Sequence, residues 1–402
     1  MKINFPFSPE LEKLFKIYNE TGDNLRIVGG AVRNFLLKKE ISDIDLATKL
    51  RISDSIAILK KNKIRYIPTG LKHGTVTALI NKKTFEITTL RSDKNCDGRF
   101  ADVEFVTSYQ EDAKRRDFTI NALFLDEKGQ IYDYFNGISD INNGVIKFIN
   151  NPAIRIKEDY LRILRFFRFF CDYGIKLDFK SLKSVIKLNH NLKYLSADRV
   201  RNEFLKIINS KNTENIILIL KILNKFQFSG ILFSEEIDIE NYQNLLKLQK
   251  NDIDFNIRIK FFTIFNKSNN LNNICHNLNF SNKDKNYILE LQKYQIINFD
   301  IKKIDLIKLL YQFPKEILID FLKVRLILSR SDNNNEFLQL KNHILNQNCP
   351  KFILNGNDLL KIGIEAKDIG NKLRELKDIW IESEFNISKD ELLYHFPSKK
   401  LC

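Results

Sequence analysis

Near Pro152 the hydrophobic pattern of this 402-residue chain changes period. Before it, β-like runs at residues 26–28, 44–47, 75–80, 84–89 and 103–106 alternate with short helical segments such as Ala31 to Leu37. After it, apolar residues recur at helical spacing, broken only by the polar stretches NSKNTEN, NKSNNLNN, SRSDNNNEF and NQNCPKF. A sheet and a helical array bury apolar surface in different ways, so the chain divides into two architectures. The expected fold class is α+β: a head with a mixed sheet, then an all-helical remainder of roughly a dozen helices. The length exceeds one comfortable core, which points to two to four domains.

Charge narrows the partners. A formal net charge of +15 suggests a polyanion, nucleic acid first. Fourteen of the eighteen arginines lie at or before Arg201, whereas lysines run throughout. Arginine offers a planar fork for phosphates and base edges, so specific chemistry is expected in the first half. No run of eighteen apolar residues occurs, and the start, MKINFPFSPELEKLF, does not read as a signal peptide. The expectation is a cytoplasmic protein without membrane association. Cys96, Cys171, Cys275, Cys349 and Cys402 show no C-x-x-C spacing and read as free thiols.

In DIDLAT, Asp43 and Asp45 stand one residue apart among apolar neighbours. Strand alternation would put both carboxylates on one face, an arrangement that asks for a cation, and Mg²⁺ with substrate phosphates is the commonest answer. Glu86, in TFEITTLR, could add a third carboxylate from a neighbouring strand. A solvated strand end is the alternative. Upstream, Gly29 and Gly30 end a β-run and open a helix, a turn that lets backbone approach a phosphate, with Arg33 in the first helical turn. An ordinary tight turn would look the same.

The segment EDYLRILRFFRFF places Asp159, Arg162, Arg165 and Arg168 at three-residue intervals among apolar residues, so a single helix is expected to carry them along one flank. Buried arginines need anionic partners, either a ligand or a local carboxylate such as Glu158.

Taken together, these segments resemble the class II tRNA nucleotidyltransferase and poly(A) polymerase family. GGAVRNFLL with DIDLAT resembles its metal-binding motif, and KHGTVTA and FEITTLRSD…DGR its following strands and loop. EDAKRRDFTINAL resembles its RRD motif, NGISDINNGVIKFI the exit from the head, RIKEDYLRILRFFRFF its base-selecting helix, and ADRVRNEFLKII the helix after that. The match runs in family order from about residue 25 to 210.

The resemblance implies a polymerase-β-like nucleotidyltransferase head at 1–148, a neck for base selection at 149–210, an RNA-binding body at 211–335 and a tRNA-binding tail at 336–402. It implies Asp43 and Asp45 as metal ligands at a two-metal Mg²⁺ site, with Glu86 beside them. Gly29, Gly30, Arg33, Arg116, Asp117 and Asn121 would hold triphosphate and ribose. Asp159 and Arg162 would present a hydrogen-bonding edge to the base, with Arg165 and Arg168 nearby; His73 reads as structural. CTP and ATP would be the substrates and the acceptor arm and 3′ end of tRNA the partner, with CCA addition as the activity.

Three positions depart from the family pattern: Asn34 for the usual aspartate after Arg33, Cys96 where an aromatic is common, and Asp198 for a glutamate. The tail KFILNGNDLLKIGIEAKDIGNKLRELKDIWIE resembles bacterial tRNA nucleotidyltransferases, where a G-x-D-L segment precedes a helix. Poly(A) addition and partial CC or A addition are the alternatives. A non-catalytic RNA-binding protein fits less well, because the metal-ligand and base-edge residues are all present. Oligomeric state is not legible.

Overall fold

The computed structural model describes residues 1–94, 102–330 and 333–394. Cys96, Cys402 and the DGR segment lie outside the described residues. The chain forms two compact units, one of residues 1–237 with 274–279 and one of 238–273 with 280–402.

The first unit begins with α1 (Pro9–Asn19), capped by Ser8, whose hydroxyl accepts from the Leu11 N–H. Its strands are β1 (Arg26–Val28), β2 (Asp45–Thr48), β3 (Arg65–Gly70), β4 (Thr75–Ile80), β5 (Lys83–Thr89), β6 (Arg91–Lys94), β7 (Asp102–Phe105), β8 (Leu123–Leu125) and β9 (Ile131–Asp133). Seven form one mixed sheet in the order β3-β4-β5-β2-β1-β8-β9, and β6 pairs with β7 as a separate hairpin. The central β2–β5 pair is parallel, with Asp45 opposite Glu86. Helices α2 (Gly30–Leu36), α3 (Ile52–Lys61), α4 (Tyr109–Lys114) and α5 (Gly137–Asn142) complete the head. Val28, Ala47, Leu90, Tyr109, Phe124 and Ile149 pack together beneath the strands that carry the site.

The helical part of this unit continues with α6 (Pro152–Glu158), α7 (Arg162–Tyr173), α8 (Phe179–Lys187) and α9 (Ala197–Ile208). Phe166, Phe167, Phe169 and Phe170 of α7 are buried. Phe166 stacks on Phe148 at 5.7 Å and 18°, and Phe169 meets Phe118 at 5.2 Å. These rings join α7 to the backbone that follows the RRD motif.

Between Thr213 and Tyr394 twelve more α-helices follow, so sixteen α-helices lie beyond Pro152 among the described residues, more than the dozen expected. Short connecting helices such as Phe228–Phe233 and Gly356–Lys361 account for the difference, being too brief to show a period. In the second unit, Leu354, Leu359, Leu376, Trp380, Ile381 and Leu392 form a core of their own. There the G-x-D-L segment itself opens a short helix and precedes a longer one. Asn355 and Asp358 form a reciprocal capping box at the start of Gly356–Lys361, and Ile369–Glu382 follows.

Two strand expectations need correction. Asp43 lies in the loop ahead of β2, because its would-be partner β1 runs out at Val28, which pairs with Asp45. Strands β3, β6, β8 and β9 were not among the expected runs: β3 is a largely exposed edge strand containing Pro68, β6 spans four residues, and β8 and β9 span three each. Cys171 and Cys275 are buried, and Cys349 is half-buried. No described helix is long and apolar enough to cross a membrane.

Candidate active site

The parallel register sets Asp45 directly beside Glu86 at one end of the β2–β5 pair. Loss of hydration pushes the Asp45 carboxyl above its ordinary value, the neighbouring Glu86 charge adds to this, Arg116 opposes it, and Asp43 contributes in the same sense as Glu86. Asp43 is exposed, and one of its oxygens accepts from the Ser42 hydroxyl at 2.9 Å. Among the described residues no three acidic, histidine or cysteine side chains converge to cage a cation by themselves. The hard oxygens of Asp43 and Asp45 instead fit an ion that takes one or two carboxylates from the protein and further oxygens from substrate phosphates, which is the habit of Mg²⁺.

Gly29 caps α2 with φ 74° and ψ −119°, a conformation open to glycine alone. Its N–H donates to the Leu123 carbonyl at 3.0 Å, so this glycine is tied to β8, and its contribution to the site is space. A Cβ there would lie 3.5 Å from Arg116 Nη1 and from the Asn121 carbonyl. Four residues on, Arg33 is only 7% exposed. Asn34 Oδ1 accepts from its Nε at 3.1 Å and its Nη2 at 2.9 Å, so the departure from aspartate leaves Arg33 oriented all the same.

From the RRD motif, Arg115 and Arg116 both pair with buried Asp112, at 2.8 and 3.0 Å. Burial raises the proton affinity of Asp112, but the two guanidiniums outweigh it and hold the carboxyl below the ordinary range. Asp117 accepts from Asn121 Nδ2 at 3.0 Å and pairs with Arg165 at 2.6 Å. Against its burial, Arg165 and the Asn121 hydrogen bond bring its pKa to about 2. Asn121 in turn accepts from Arg33 Nη1, so Arg33, Asn121, Asp117 and Arg165 form one chain of contacts.

The expected single helix around Asp159 is two. Asp159 ends α6 in extended conformation, its carboxylate accepts from the Leu161 N–H at 3.0 Å, and α7 starts at Arg162. An aspartate side chain that captures nearby backbone N–H groups favours such a break. Its other oxygen pairs with Arg199 of α9 at 2.7 Å. Arg162 pairs with Glu158 at 2.6 Å and donates to the Arg115 carbonyl at 3.1 Å, the local-carboxylate arrangement that the sequence left open. Successive arginines three residues apart each rotate about 60° around the helix, so Arg168 faces about 120° from Arg162 and meets Glu203 at 3.0 Å.

Gly29, Gly30, Arg33, Asp45, Arg116, Asp117, Asn121, Asp159, Arg162 and Arg165 therefore line one cavity of about 550 Å³. Asp43 and Glu86 flank Asp45 outside that lining, and Arg168 points elsewhere. Arg91, Arg115 and Arg199 also line it and were not singled out. Arg199 had one available signal, a second arginine cluster in ADRVRNEF, although that segment forms α9 and α8 intervenes between it and α7 where the sequence suggested none. His73 is exposed, and its backbone carbonyl accepts from Arg91 Nη1 at 2.7 Å.

Residues 25–147 match the family described as "Poly A polymerase head domain", and residues 174–228 match "Probable RNA and SrmB- binding site of polymerase A". The fold matches that of the Bacillus stearothermophilus CCA-adding enzyme solved with CTP, with TM-score 0.76 and 22% identity over 97% of this chain and 98% of that one. The CCA-adding enzyme of Ligilactobacillus salivarius is 28% identical over 92% of this chain and 90% of its own. The mitochondrial CCA tRNA nucleotidyltransferase 1 of Danio rerio is 32% identical over 96% of this chain and 90% of its own length. A likeness of that extent, on a chain whose cavity joins a glycine turn, a strand carboxylate and an Asp–Arg edge, places this protein in the CCA tRNA nucleotidyltransferase family.

Proposed function

We propose that this chain adds C, C and A in turn, from CTP and ATP, to the 3′ end of tRNA without a nucleic-acid template, releasing pyrophosphate. The observation that carries the reading is the cavity whose lining brings Gly30, Arg33, Arg116 and Asp45 together with Asp159 and Arg162.

In this reading Arg33 and Arg116 hold the triphosphate, and the bare backbone at Gly29 and Gly30 lets it approach. Asn121 and Asp117 hold the ribose. Arg162 donates to the ring acceptor of cytosine or adenine, and Asp159 accepts from the exocyclic amino group, so C and A satisfy an edge that G and U leave unpaired. Glu158 and Arg199 hold that edge in place, and Arg168 acts through Glu203. The 3′-hydroxyl of tRNA attacks the α-phosphorus in line, forming a P–O bond as the bond to pyrophosphate breaks. Asp43 and Asp45 are the residues that would hold Mg²⁺, with Glu86 adjacent; when bound, the ion lowers the pKa of the attacking hydroxyl and steadies charge on the leaving group.

We assign 1–148 as the catalytic head, 149–210 as the neck, 211–335 as the body and 336–402 as the tail, the last two contacting tRNA. Backbone contacts by so basic a chain make tRNA binding fall steeply with salt.

The experiment is incorporation by the purified protein on tRNA ending before CCA, at CC and at the complete terminus, with CTP and ATP together and apart. Addition that halts at CCA from every start supports the proposal. ATP-only tails that pass the terminus replace it with poly(A) addition.

A further inference from the structure

The arginines of the cavity differ in one respect. Arg115 and Arg116 sit on Asp112, Arg162 on Glu158, Arg165 on Asp117 and Arg199 on Asp159. Arg33 makes no ion pair among the described residues, and each of its hydrogen-bond partners is neutral: Asn34 Oδ1, Asn121 Oδ1 and, at 2.9 Å from Nη2, the hydroxyl of Tyr173. The guanidinium also lies 4.3 Å from the centre of the Tyr173 ring and 5.2 Å from that of Phe169. Tyr173 is the last residue of α7; it stacks on Phe169 at 5.8 Å and 28°, and the Lys39 ammonium stands 4.3 Å from its ring.

A buried cation is usually fixed by a carboxylate, which also cancels its charge. Here the fork is fixed at three corners and from the ring face by neutral groups, while the carboxylates of Asp117 and Asp172 act on it without an ion pair. Asn34 cannot be traded freely, because its Nδ2 donates to the Glu40 carbonyl at 2.9 Å while its Oδ1 serves Arg33. We propose that Tyr173 is a positioning residue for nucleotide binding: with Asn34 and Asn121 it locks the Arg33 guanidinium in a cage of neutral groups, so that Arg33 meets the nucleotide triphosphate with no carboxylate of the protein paired to it. The inference rests on reading Arg33 as a triphosphate contact and adds to it the residue that aims it.

The test is equilibrium binding of CTP and of ATP, together with steady-state kinetics, for Y173F, Y173L, R33A and R33A/Y173F. Y173F keeps the ring and removes only the hydroxyl. It is expected to weaken binding of both nucleotides about three- to tenfold while turnover at saturating nucleotide stays within about twofold. Y173L, which also loses the ring, weakens binding further at unchanged base selectivity. Since the hydroxyl acts through Arg33, Y173F adds nothing in the R33A background. Parental affinity in Y173F, or an equal loss with and without Arg33, overturns the proposal. Parental affinity in R33A overturns the phosphate reading itself, which separates the two failures.

Discussion

Arg165 and Asp117, forty-eight positions apart in sequence, meet at 2.6 Å and join α7 to the backbone that follows the RRD arginines. Asp117 is 8% exposed and its second oxygen serves Asn121, so this pair holds Asn121 and α7 in one frame.

Removing Arg165 leaves a buried carboxylate without its counter-ion. R165A is expected to lose about 2 kcal/mol of stability, less than a fully buried pair because the arginine is partly exposed. R165A/D117N should recover much of it. Urea unfolding of the parent, both single variants and the double variant measures the coupling; additive losses would show the pair to be energetically idle.

Asp117 also sets a pH dependence. Its folded pKa of about 2 lies below the ordinary 3.8, so the folded state holds its proton less tightly than the unfolded chain does. The contribution, about 2 kcal/mol, is complete above the unfolded value and is lost as pH falls toward 2. D117N lacks that dependence. The difference in unfolding free energy between parent and D117N should narrow from about pH 5 to about pH 3; a constant offset would contradict the assignment.

Asp45 behaves in the opposite sense. Its raised pKa means that ionising it costs the folded state something, and a cation removes that cost. Mg²⁺ is expected to raise the melting temperature at neutral pH, with affinity that weakens on acidification at a higher pH than an ordinary aspartate would give. D45N and D43N should each melt at a temperature insensitive to Mg²⁺ and show incorporation reduced at least about a hundredfold. Calorimetric melts with and without the ion provide the readout.

The two glycines separate conformation from space. G29A forces a Cβ onto a φ of 74° and ψ of −119° beside Arg116 and is expected to cost about 1–3 kcal/mol as well as nucleotide affinity. In G30A the added carbon lies 3.7 Å from Arg33 Nη2, an ordinary contact, and stability should change by less than about 1 kcal/mol. Equal effects of the two substitutions would remove the argument from backbone strain.

What the sequence alone determined is the division at Pro152, the α+β head, the helical remainder and ten of the residues that share the cavity. Asp45 and Glu86 were legible from strand-like runs, Gly29 and Gly30 from a strand-to-helix turn and the α7 residues from apolar periodicity, whereas Arg116, Asp117 and Asn121 followed from the family resemblance of EDAKRRDFTINAL. Tertiary structure alone decided the rest. Strand β2 starts at Asp45 because β1 ends at Val28, a limit set by the neighbouring strand. Asp159 breaks the helix by capturing a backbone N–H, while Arg199, forty residues on in α9, takes its other oxygen. Tyr173 reaches Arg33 across 140 residues of sequence. Periodicity reports which face a residue occupies and says nothing of which distant carboxylate, amide or hydroxyl waits there, so the pairing of charges in this cavity belongs to the packing of α7 against the head.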